Sequence, residues 1–294
     1  MIVVRIMGGH SNQLFQYAIG RKLANIHNTE LVLDLSWFEE AHPDSPRDFE
    51  IDCYNLKATT VKNLTKFNVV DPRQGVSKKD ALLRKLGLSK KLWMHYEEGQ
   101  GFHASFKDIP NNSVLIGFWQ TEKYFKDLRK ELLAEITTTD PLSKKNADYI
   151  KKIENCDAVA LHFRRGDYVT NENYSKFHGV LGVDYYKKAV KHLQKTTKSK
   201  NLKLFIFSND ISWCEKNLTF DLPTTFISGN KKGSDDMNVM RHCKHFVMAN
   251  SSFSWWGAWL SDHKSKIVVA PKNWFQDRDA DNAIDIIPNK WTRL

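Results

Sequence analysis

The sequence predicts an α/β protein of two halves, each a parallel sheet covered by helices. Three observations lead there. Short apolar, β-branched runs alternate along the chain with stretches whose apolar residues recur every three to four positions, the signature of strands and amphipathic helices in β-α-β units. The 294 residues are about twice a typical domain of roughly 150. Polar clusters follow several apolar runs directly, at the strand ends where parallel sheets bind ligands.

The first unit is strand, glycine turn, helix. Residues 2–7 are apolar apart from Arg5, Gly8-Gly9 interrupts them, and a helix opening at Asn12 carries Phe15, Ile19, Leu23 and Ile26 on one face. Residues 31–35 form a second buried strand. Between Trp37 and about Phe106, mixed polarity and Pro43, Pro46 and Pro72 predict an irregular excursion rather than sheet. A strand returns at 114–118. One amphipathic helix is expected over 122–136, with Phe125, Leu128, Leu132 and Ile136 on its buried face. A helix near 143–154 marks the boundary, dividing the chain into 1–145 and 146–294, with the last residues expected to pack back on the first half. In the second half, strands at 158–163, 202–207, 224–227, 245–249 and 266–270 alternate with helices at 183–195, 211–217, 235–243 and 254–262. Two such halves would face each other across a cleft.

Composition excludes several classes. No run approaches the roughly 18 apolar residues of a membrane span, and the N-terminus carries no secretory leader pattern, so a cytoplasmic location is expected. Cys53, Cys156, Cys214 and Cys243 are widely spaced and read as reduced thiols. The net charge of +10 favours an anionic ligand, a polyanion or an anionic membrane surface. Many of the lysines fall in helical stretches, at 78–79, 90–91, 144–145, 151–152 and 187–188, and read as a solvated face. No segment interleaves aromatic and basic residues as a nucleic-acid surface would, so no nucleic-acid partner is expected.

The most informative strand end is His162-Phe163-Arg164-Arg165-Gly166-Asp167, after the apolar run 158–161. Guanidinium forks match phosphate oxygens and stay charged at any working pH. The competing reading pairs one arginine with Asp167 at a turn. Ser208-Asn209-Asp210 follows the next strand, Asn250-Ser251-Ser252-Phe253-Ser254 a third, and Gly8-Gly9-His10-Ser11-Asn12-Gln13 the first. The second and third clusters are also ordinary helix caps, but a serine-rich helix N-terminus binds phosphate through free N–H groups and the helix dipole. Trp255 and Trp259 lie four apart and read as packing. Asp277, Asp279 and Asp281 could bind Mg²⁺, but lie in a polar segment and read as a solvated loop. Zinc-hydrolase, nucleophile-elbow and P-loop motifs are missing.

Together these segments resemble the bacterial α-1,2-fucosyltransferases of glycosyltransferase family 11. The stretch 7–18 is similar to the family's G-G-L-G-N-Q-M-F-Q-Y-A, residues 162–169 to the H-x-R-R-x-D signature of several fucosyltransferases, and 117–125, 207–210 and 249–259 to further family blocks. His10-Ser11 stand where the family usually has Leu-Gly, replacing a loop glycine and adding an imidazole.

The resemblance implies a GT-B fold of two Rossmann-like domains, with the acceptor side at 1–145 and the GDP-fucose side at 146–294. It implies inverting transfer of L-fucose from GDP-fucose, a substrate, to a galactose 2-hydroxyl, with no metal or other cofactor. An oligosaccharide or lipid-linked glycan of O-antigen or capsule type is the expected acceptor, and its lipid would bring the enzyme to an anionic membrane. By resemblance, Arg164 stabilises the leaving β-phosphate, with Asn12 and Asp167 as further catalytic candidates. Donor contacts are expected from His162, Arg165, Ser208, Asn209, Asp210, Asn250, Ser251, Ser252, Phe253, Ser254, Gly9 and Gln13. Acceptor contacts are expected from His10, Asp34 and Trp37. Asp167, His10 and Asp34 remain alternatives for a catalytic base, and Arg165 either pairs with Asp167 or braces its loop. The rival readings are a same-fold transferase for another nucleotide sugar or linkage, and a polyanion-binding protein without catalysis.

Overall fold

The structure, a computed structural model, describes residues 1–40, 46–99, 101–166, 179–276 and 285–294. It divides into two compact units, Met1–Thr137 and Thr138–Leu294.

The first unit is built on a six-stranded parallel sheet of order β3-β2-β1-β6-β5-β4. Its strands are β1 (Ile2–Arg5), β2 (Leu31–Asp34), β3 (Thr59–Val61), β4 (Val69–Val70), β5 (Leu92–Tyr96) and β6 (Ser113–Ile116). β1 lies at the centre, pairing Val3 with Val32 on one side and with Val114 on the other, and Ile2, Val3 and Val4 are fully buried. Helix α1 (His10–Ile26) packs on β1 and β2. Gly20 makes this close approach feasible: a Cβ there would fall 2.4 Å from Val4 and 2.8 Å from Leu31.

The excursion expected between Trp37 and Phe106 is instead half of this sheet, since it supplies β3, β4 and β5. β3 and β4 are edge strands of three and two residues, with no buried side chain. An edge strand buries little and so carries no alternating apolar pattern to read. The α-helix α2 (Lys78–Lys85) lies between β4 and β5. The helix expected over 122–136 is also broken. Two 3₁₀ turns, Glu122–Tyr124 and Lys126–Leu128, precede α3 (Arg129–Glu135), because Phe125 leaves helical geometry at φ −139°. The expected apolar face is nevertheless buried at Phe125, Leu128, Leu132 and Ile136.

The second unit repeats the architecture with order β12-β11-β10-β7-β8-β9, again all parallel. The strands are β7 (Asp157–Phe163), β8 (Leu202–Ser208), β9 (Thr224–Phe226), β10 (His245–Val247), β11 (Val268–Ala270) and β12 (Thr292–Arg293). The helices are α4 (Lys144–Glu154), α5 (Val183–Thr197), α6 (Ile211–Asn217), α7 (Gly233–Met240) and α8 (Ser252–Leu260). The terminal residues join this second sheet: β12 pairs with β11, and Leu294 N–H donates to the Ala270 carbonyl. On α8, Trp255 and Trp259 stack at 6.1 Å and both are buried, the packing role their spacing predicts.

The four cysteines are free thiols. The lysines read as a solvated face are exposed at Lys78, Lys79, Lys90, Lys144, Lys145, Lys151, Lys152, Lys187 and Lys188. Lys91 is instead partly covered and pairs with Asp80 at 2.8 Å. Among the described residues, no helix is long and apolar enough to cross a membrane.

Candidate active site

In a parallel sheet, every strand points its carboxyl end to the same edge, so the polar clusters after β7, β8 and β10 share one. The β7–β8 register carries Phe163 opposite Ser208, which brings Arg164 and Arg165 beside Asn209 and Asp210. β10 flanks β7 on its other side and leads into α8. Phe253, in the first turn of α8, packs on the His162 ring at 5.1 Å, placing a helix N-terminus beside the strand end that carries Arg164.

The two arginines are held differently. Arg165 is clamped: its N–H donates to Asn209 Oδ1 at 2.9 Å, its Nε lies 3.5 Å from Asp210 Oδ2, and its guanidinium stacks 3.5 Å over Trp213. It braces the loop through Asp210, while Asp167 lies outside the described residues. Arg164 is partly exposed at the same edge. His162 is buried, and its Nδ1 has no hydrogen-bond partner among the described residues. Burial, reinforced by the Arg164 charge, pushes its pKa down to about 3, so the ring is neutral at neutral pH.

Several expected donor contacts are committed within the fold. Asp210 caps α6 by accepting from Trp213 N–H at 3.3 Å, and Ser208 Oγ accepts from Asp210 N–H at 3.0 Å. Ser251 caps α8 through Phe253 N–H. Ser254 is buried, and its hydroxyl donates to the Ala249 and Ser251 carbonyls. Asn250 is buried and donates to Trp274 O at 3.2 Å. Ser252 and Phe253 are the partly exposed side chains of that first turn.

Asp236 is a residue that the sequence reading did not single out. It lies in the first turn of α7, where an acidic residue reads simply as a partner of the helix dipole. Gly233 opens that turn against Phe253, since a Cβ there would sit 3.7 Å from the phenyl ring. Asn230 Nδ2 donates to Asp236 Oδ1 at 2.8 Å, yet burial pushes this carboxyl up to about 6. A carboxylate held in that state gains from further N–H donors.

In the first unit, the loop after β1 turns at Gly8, where φ is +73° and a side chain would crowd Asn12. Asn12 is partly exposed, and its Oδ1 accepts from Gln120 Nε2 at 2.8 Å. Gln13 lies in the first turns of α1. It is fully buried, donating to the Gly8 and Asp48 carbonyls and accepting from Glu50 N–H, so it ties the loop to segment 48–50. Gly9 is the N-cap of α1. His10 and Ser11 therefore lie in the helix rather than the loop, where a serine in place of glycine imposes no backbone strain. His10 Nε2 meets the Tyr54 hydroxyl at 2.8 Å, and burial pushes its pKa down to about 4.

Asp34 ends β2. It is fully buried in an ion pair with Arg5 at 3.0 Å and accepts from Ser36 N–H and Oγ. Removing one partner of a buried pair strands the other charge, so Asp34→Ala should cost about 3 kcal/mol and lower Tm by roughly 6–12 °C in thermal denaturation. Trp37 sits in the 3₁₀ turn Ser36–Glu39, partly exposed, edge-on to Phe38 at 5.2 Å. The triplet Asp277, Asp279 and Asp281 lies outside the described residues.

Two all-parallel, helix-covered sheets are the α/β architecture of the GT-B fold. The model of glycosyl transferase family 11 matches residues 54–294, and the chain belongs to that family. It is similar to an alpha-1,2-colitosyltransferase of Escherichia coli, 35% identical over 100% of this chain and 99% of the relative. It is also similar to the O-antigen biosynthesis glycosyltransferase WbnK of Escherichia coli, 31% identical over 98% of this chain and 99% of that protein. Among solved structures, POFUT1 in complex with GDP aligns with a TM-score of 0.50 at 14% identity, covering 92% of this chain and 97% of that one. At that identity, the likeness speaks for the fold alone.

Proposed function

We propose that the chain transfers L-fucose from GDP-fucose to a galactose 2-hydroxyl, making an α-1,2 linkage with inversion and without a metal. The observation that carries this reading is the partly exposed Arg164 at the end of β7, beside the N-terminus of α8. As the bond from the sugar's anomeric carbon to the β-phosphate oxygen breaks, its electrons collect on that oxygen. A fixed guanidinium and a helix N-terminus there stabilise the transition state more than the ground state. The acceptor hydroxyl attacks the anomeric carbon from the opposite face, and its proton passes to solvent water as the new C–O bond forms. Asp236 reads the base: guanine presents N1–H and an exocyclic amine side by side, a donor pair that a carboxylate accepts and adenine cannot mimic. Arg165, Asp210 and Asn209 are positioning residues for the Arg164 loop. The acceptor is a lipid-linked glycan of the O-antigen type, and the exposed lysines favour an anionic membrane face.

A second reading is carried by the colitosyltransferase relative, which spans the whole chain at 35% identity. Colitose is fucose without its 3-hydroxyl, and a site that hydrogen-bonds a hydroxyl rejects the analogue lacking it by about 10⁴–10⁵. Offering GDP-fucose and GDP-colitose separately, with lactose and galactosyl-β-1,3-N-acetylglucosamine in excess EDTA, separates the readings. GDP release from GDP-fucose, with NMR showing an α-1,2-linked product, is expected. Turnover of GDP-colitose alone would replace fucose as the donor sugar, and turnover only after Mg²⁺ is restored would overturn the metal-free mechanism.

A further inference from the structure

Within the first unit, a cavity of about 250 Å³ lies at the ends of β5 and β6. Its buried floor is Trp119 and Phe106, and its exposed rim carries Glu98, His103, Ser105 and Asp108. The volume is just under the roughly 300 Å³ at which pockets begin to enclose drug-sized ligands, a size for one small ring.

Two features mark the cavity as more than a packing defect. Trp119 has φ +56°, a left-handed backbone that a bulky residue adopts only where the surroundings impose it, and such strain clusters at ligand sites. The imposition is visible: the Glu97 carboxylate accepts from Phe118 N–H at 2.7 Å and Trp119 N–H at 2.9 Å, and Thr121 N–H donates to the Trp119 carbonyl at 2.8 Å. Trp119 is 4% exposed, and its indole Nε1 has no hydrogen-bond partner among the described residues. A buried orphan donor costs stability.

The lining also selects a ligand class. Carboxylates at Glu98 and Asp108 repel anions. His95, which also lines the cavity, accepts from the Arg84 guanidinium at 2.7 Å, and that fixed positive charge disfavours a cation. A neutral polyol suits both: its hydroxyls reach the rim groups and its apolar face lies on the aromatic floor.

We infer that this cavity binds a neutral hexose ring of the acceptor glycan, with Trp119 as its floor. The inference rests on the glycosyltransferase reading and places an acceptor contact at the ends of β5 and β6, away from Asp34. It is tested without donor, by saturation-transfer NMR and calorimetric titration of lactose and galactosyl-β-1,3-N-acetylglucosamine into the full chain, so that failure of the transfer reaction and failure of this site are told apart. Wild-type protein should bind at least one of them. Ser105→Trp, which fills the rim from an exposed position, should abolish binding, whereas Lys107→Ala, at an exposed position that does not line the cavity, should leave it unchanged. Circular dichroism melting confirms that each variant is folded. Absence of sugar binding to the wild type, or unchanged binding in folded Ser105→Trp, would overturn the assignment.

Discussion

Arg164→Ala should lower kcat by about 10²–10³, the loss seen when one preorganised group that stabilises developing negative charge is removed. Arg164, like Arg165, is partly exposed, and circular dichroism melting of Arg164→Ala separates loss of turnover from loss of fold. Arg164→Lys should recover only part of the rate, because an ammonium keeps the charge but not the planar fork. Initial rates of GDP release under donor saturation provide the measurement. A near-normal kcat in Arg164→Ala would remove the leaving-group role. Arg165→Ala should behave differently, lowering stability as well as rate, because it opens the stack on Trp213 and releases Asp210.

Asp236→Asn should weaken GDP binding by about 100-fold and erode the preference for GDP over ADP, read by calorimetric titration of both nucleotides. An amide offers one acceptor where the carboxylate offers two, and a site built on paired hydrogen bonds loses specificity steeply when one is removed. The same logic fixes a pH dependence. Because burial pushes this carboxyl up to about 6, its accepting form is lost as the pH falls through that value, while bound guanine favours the ionised form. Affinity should therefore be full above pH 7 and decline below pH 6, more gently in Asp236→Asn, where this group no longer titrates. Equal GDP affinity in the wild type and Asp236→Asn would refute the assignment.

Much of the nucleotide edge was legible in the sequence because strand period and strand-end chemistry are local. Residues 158–163 read as a buried strand from their apolar run, and Arg164 follows from its position at the end of it. The two-sheet architecture followed from the alternation of periods. The division of labour within the arginine pair was legible only in part: adjacent residues on an extended segment point to opposite faces, but the partner that clamps Arg165 is Asp210 on the neighbouring strand. The illegible parts share one cause. β3 and β4 bury too little to carry a pattern, and Asp236 resembles any acid in a helical first turn.

The sequence by itself determined the α/β class, the second-half strands, the strand-end clusters and, through their combination, the family. Those follow from periodicity and from residue types at short spacing. Only the tertiary structure decided which polar groups are spent on partners within the fold and which are partly exposed. Gln13 is consumed by Asp48 and Glu50, Asp34 by Arg5, and Ser254 by its own helix start. Arg164, Ser252 and Asn12 stay partly exposed, and the Trp119 indole is left without a partner. The physical reason is that hydrogen-bond saturation depends on groups brought close by folding, often from distant positions in the chain, whereas a motif records only which donors and acceptors are available.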